Sequence, residues 1–121
     1  MKKLFKAVVA LITALGLVLG VTACASEPLD MKKVTSVIDV RTADEYASGH
    51  LQGAINIDVE ASDFMEKVMT LDTAGTYVVY CHSGRRAGIA VEQMTSMGFK
   101  NVTNAGGIDA ASASTGLAIV Q

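Results

Sequence analysis

From Val34 onward the chain alternates short apolar runs with stretches at helical spacing. Val37–Val40, Ala54–Ile57 and Tyr77–Tyr80 read as buried strands, and Thr42–Ser48, Ser62–Leu71 and Arg86–Met97 as the helices that follow them. Strand and helix in alternation predict an α/β domain, a small parallel sheet with helices on its faces. Thr42 with Glu45 three residues later fits a capping box, and Gly49 stands where a glycine ends a short helix. Ala87, Ala90, Met94 and Met97 fall on one helical face, with Gly98 as the stop. Beyond Asn101 the pattern weakens. Val102 and Thr103 form a last short strand before Gly106 and Gly107, and a weak helix follows from Ile108.

The first third of the chain has a different rhythm. Lys2, Lys3 and Lys6 precede an apolar run from Ala7 to Val21, the pattern of an export signal. Val21, Thr22, Ala23 and Cys24 resemble the lipobox of bacterial lipoproteins, with Cys24 as the lipidated mature N-terminus. An incidental Cys24 in an ordinary signal, or an uncleaved anchor of about 20 residues, are the competing readings. All three export the domain, because the lysines stay inside. The division is then a signal at 1–23, a lipidated N-terminus and polar tether at 24–33 containing Pro28, and one domain at 34–121; 121 residues leave no room for a second.

Removing the signal changes the charge. The whole chain carries a formal charge of −2, but the part from Cys24 has seven basic against twelve acidic residues. An acidic surface argues against nucleic acid as a partner, and the expected membrane contact is the lipid rather than a basic patch. With Cys24 acylated, Cys81 is the only free thiol.

Cys81 stands at the end of the Tyr77–Tyr80 strand, and Cys81-His82-Ser83-Gly84-Arg85-Arg86 leads into a helix. In open α/β sheets, ligands bind at the carboxyl ends of strands. Backbone N–H groups of a tight loop entering a helix converge on one spot, and Gly84 permits the required backbone angles. A thiolate there is stabilised by those dipoles and by Arg85 and Arg86. The bland alternative is a small buried hydrophobe, a common fate for a lone cysteine. It leaves unexplained two arginines in the first turn of a helix, where the dipole disfavours cations unless an anion is bound.

The loop resembles the C-x-x-G-x-R active loop of single-domain rhodaneses. The stretch from Ile38 to Ile57 is similar to that family's N-terminal signature, with Asp39 and Arg41 on its Asp-x-Arg and Gly49 and His50 on its Gly-His pair. Gly106, Gly107 and Ile108 match its later Gly-Gly turn. The resemblance implies a rhodanese-like three-layer fold and a double displacement: Cys81 takes the outer sulfur of a small anionic donor such as thiosulfate, holds it as a persulfide, and passes it to a thiophilic acceptor such as cyanide or a thiol. No metal or organic cofactor is implied. The loop N–H groups from His82 to Arg86, including those of Ser83 and Gly84, would cradle the persulfide, Arg86 would bind the donor's anionic group, and Arg85 would add to the field. Asp39, Arg41 and His50 are expected to support the site structurally, and a monomer is expected.

The sequence also departs from the family. Gln52 replaces a common proline, and Asp109, Ala110 and Ala111 stand where an aromatic is usual, which leads us to expect a loosely held C-terminal helix. Two other functions compete. Phosphatases and arsenate reductases of this fold need arginine one place later, where Ala87 stands. A non-catalytic binding module would be expected to lack Cys81.

Overall fold

A computed structural model describes residues 28–121. The expected signal at 1–23 and Cys24 lie outside the described residues. The chain enters through a single 3-10 turn at Met31–Lys33, where the Lys32 N–H donates to the Asp30 carboxylate. It then runs β1 (Ser36–Asp39), α1 (Ala43–Ser48), β2 (His50–Leu51), β3 (Ile55–Asn56), α2 (Phe64–Val68), β4 (Thr76–Cys81), α3 (Arg85–Ser96), β5 (Asn101–Gly107), α4 (Ile108–Thr115) and β6 (Ile119–Val120).

The main sheet is wholly parallel, in the order β3-β1-β4-β5. Its two central strands read as continuous apolar runs because both faces are covered. On one face Ile38, Val79 and Tyr77 pack with Phe64 and Val68 of α2 and Ala87, Ala90 and Met94 of α3. On the other, Val37, Val78 and Tyr80 pack with Leu51 and with Ala111 of α4. The result is the expected three-layer arrangement, with the C-terminal end of β4 at its centre.

The differences from the sequence expectations have physical causes. The helix expected over Ser62–Leu71 is only Phe64–Val68, because Phe64 and Val68 alone face the core while Met65 and Met69 point outward, and no side chain caps its start. The last strand of the sheet is longer than Val102–Thr103, since it continues through the glycines to Gly107. Leu29 and Met31, assigned to a tether, pack against the second core cluster, and Leu29 N–H donates to the Ser114 carbonyl at 2.9 Å. Apolar side chains that find a core are not tether, so the folded unit begins by Leu29 rather than Val34. β6, unforeseen, pairs antiparallel with β2 and fastens the chain's end. The C-terminal helix, lacking the aromatic, packs through Ala111, which is fully buried, and Thr115.

Candidate active site

Cys81 ends the central strand with no exposed surface. The chain turns at once through exposed His82 and Ser83 into α3, whose N-cap, Gly84, has φ +97°. That left-handed conformation strains any other residue, and a would-be Cβ would lie a tight 3.3 Å from Gly106 Cα, so the position favours glycine. The turn aims the Gly84 N–H at sulfur, with N to Sγ at 2.9 Å. The sulfur therefore faces the positive end of a twelve-residue helix as well as a directed donor. From the sheet side Gly107 closes against the loop, where any Cβ would strike the His82 carbonyl.

The two arginines of this loop do different things. Arg85 is exposed and has no ion-pair partner among the described residues. Arg86, expected to meet a substrate anion, places both terminal nitrogens on Glu45, at 2.7 and 2.9 Å. This bidentate pair takes two of the five guanidinium N–H donors and joins α3 to α1. Its hydrogen bonds hold the Glu45 carboxyl down at about 2 and raise the Arg86 guanidinium in turn. Glu45 also accepts from Thr42 N–H and its backbone N–H donates to Thr42 Oγ1, completing the capping box of α1. The sequence shows the capping box but not its second role, since nothing in the spacing links positions 41 residues apart.

Asp39 and Arg41 form an ion pair, both buried. Arg41 Nη2 donates to Asp39 Oδ2 at 2.7 Å and to the Gly49 carbonyl at 2.6 Å. Tyr80 hydroxyl donates to the same carboxylate at 2.8 Å and accepts Leu51 N–H, and burial pushes its phenol well above the usual range. Hydrogen bonding to Asp39 raises Arg41. Such a fully satisfied pair fixes the ends of β1 and β4 relative to one another. The sequence missed Tyr80 as a member, since an apolar run gives no hint that one hydroxyl is wired. His50 stacks on Tyr46, with ring centroids 3.7 Å apart, and Nδ1 donates to the Tyr46 carbonyl. A carbonyl only accepts, so that nitrogen carries the proton, and the ring closes the end of α1.

The family profile described as "Rhodanese-like domain" matches residues 22–114. The chain belongs to the rhodanese-like domain family. It is 42% identical over 73 residues to the thiosulfate sulfurtransferase PspE of Escherichia coli, covering 59% of this chain and 68% of PspE. It is 35% identical over 82 residues to thiosulfate sulfurtransferase 18 of Arabidopsis thaliana, covering 58% of this chain and 60% of that protein. Among solved structures, "rhodanese with anions from E. coli" superposes with a TM-score of 0.59 at 35% identity, over 71% of this chain and 96% of that one. The rhodanese-like fold is thus shared with "rhodanese with anions from E. coli", and this chain places a buried thiol, Cys81, at the head of α3.

Proposed function

We propose that this rhodanese-like domain is an extracytoplasmic sulfurtransferase that carries sulfane sulfur on Cys81. The observation that carries the reading is the Gly84 N–H aimed at Cys81 Sγ from the N-terminus of α3. The Cys81 thiolate attacks the outer sulfur of thiosulfate. The donor's S–S bond breaks and its electron pair leaves with sulfite, and the new Cys81 persulfide is left with its terminal charge in the cradle of His82, Ser83 and Gly84. A thiophilic acceptor then attacks the terminal sulfur, and the S–S bond electrons return to Cys81. Arg85, exposed beside the loop, attracts the anionic donor, while Arg86 supports the loop through Glu45. The pairing Asp39–Arg41 and the ring of His50 hold the surrounding turns. The chemistry needs no cofactor beyond the persulfide.

Export and lipidation at Cys24 are part of the proposal, supported by the sequence Val21-Thr22-Ala23-Cys24 behind a basic start and an apolar run. The test of the chemistry is a mass spectrum of the purified protein after incubation with thiosulfate. One added sulfur on the peptide containing Cys81 is the expected result, and its absence with several donors overturns the reading.

A further inference from the structure

Cys81 and the group that faces its sulfur belong to different bodies. The thiol rides on the end of β4, in the sheet, whereas the Gly84 N–H belongs to the first turn of α3. Something must hold the two in register. Gly84 does not do so by its own stereochemistry, because a glycine backbone is open to φ of either sign. Its carbonyl accepts the Gly88 N–H at 3.0 Å, but that bond moves with the helix.

Besides Cys81 Sγ itself, one side chain of the sheet among the described residues hydrogen-bonds Gly84. The register of β5 against β4 shifts between Val79 and Cys81, so Asn104 lies opposite Val79 while Gly107 lies opposite Cys81. From that position Asn104 Nδ2 donates to the Gly84 carbonyl at 3.0 Å, and its Oδ1 accepts the Gly106 N–H at 2.8 Å. An N–H only donates and a carbonyl only accepts, so the two partners decide which way the amide points. The geometry points to Asn104 as a positioning residue for the reaction at Cys81: by holding the Gly84 carbonyl against β5, it keeps the Gly84 N–H on the sulfur. Asn104 itself touches no reacting atom. The inference rests on the persulfide reading above and assigns a residue that lies outside the cysteine loop altogether.

Two variants separate this role from a general contribution to the fold. Asn104→Ala removes both bonds, whereas Asn104→Asp keeps an acceptor for Gly106 N–H and loses the donor to Gly84. Hydrogen exchange at the Gly84 amide, followed by NMR in the purified protein, should rise about two- to tenfold in both variants, the worth of one neutral hydrogen bond. The amides of Val78 and Val79 should exchange as in the wild type. For sulfur transfer from thiosulfate, kcat should fall by a similar factor with KM unchanged. The inference is overturned if Asn104→Asp keeps wild-type exchange and kcat, which would place the role at Gly106. It is equally overturned if exchange rises uniformly at Val78, Val79 and Gly84, the mark of lost global stability. Should the wild type form no persulfide, the proposed function falls, and the Gly84 exchange rates alone still decide for or against the clamp.

Discussion

Arg85 and Arg86 are neighbours in sequence and opposites in environment, because each step along a helix turns about 100°. The Arg85 guanidinium is left to solvent, and that of Arg86 is delivered to Glu45 on a different helix. Arg85→Ala should therefore raise KM for thiosulfate by about tenfold, the lower end for a charge-assisted contact, without moving the unfolding midpoint. Arg86→Ala should instead lower the midpoint, since it strands a half-buried carboxylate. Steady-state kinetics and thermal unfolding on both variants check the assignment, and the reverse pattern would return Arg86 to the substrate. Cys81 was legible in the sequence because strand end, cysteine, glycine and helix start come in order within a few residues. The division of labour between the arginines was not, since it depends on helix phase and on an acid 41 positions away. Cys81→Ala should abolish persulfide formation in the mass spectrum while costing stability only on the order of 1 kcal/mol, for one small buried group. Sulfur transfer surviving in that variant would remove Cys81 from the mechanism.

Between elements, the capping box of α1 also serves as the counter-ion of α3. Hydrogen bonding from Arg86 lowers the Glu45 carboxyl from 4.5 to about 2 on folding. A carboxyl depressed in the folded state contributes stability that is complete above its unfolded value and is lost as pH falls through the folded one. Wild type should therefore exceed Glu45→Gln in stability near neutrality, by about 1 kcal/mol or less because the pair is partly solvated. That advantage should shrink between about pH 4.5 and 2 in denaturant titrations at a series of pH values; a constant difference would mean that the charge of Glu45 is not what joins the helices. The order of the larger elements was legible because β1 and β4 read as short apolar runs, α3 has a long periodic pattern and α1 has its capping box. β2 and β6 were not, being two residues each and paired across most of the domain. Pairing that remote leaves no local period, and tertiary contact alone creates it.

At the scale of the whole chain, a question of attachment outweighs one of folding. The stretch after Cys24 carries more acid than base, so its surface is repelled rather than held by anionic headgroups. No helix among the described residues is long and apolar enough to cross a membrane. The proposed membrane attachment lies in the segment before Leu29, where Cys24 is the group that would accept lipid. Several acyl chains anchor firmly where a single one binds only marginally. If Cys24 is lipidated, few residues separate it from Leu29, which packs on the domain, and the domain is then held close to the bilayer rather than on a long leash. Cys24→Ser should therefore shift the protein from the membrane fraction to the soluble fraction, or leave it unprocessed with its signal attached. Thiosulfate sulfurtransfer by the released protein should match wild type, because Cys24 takes no part at Cys81. Fractionation, N-terminal mass and an activity assay on the same preparation read all three. A Cys24→Ser protein that is cleaved and membrane-bound like wild type would overturn the lipoprotein reading and leave the chemistry at Cys81 untouched.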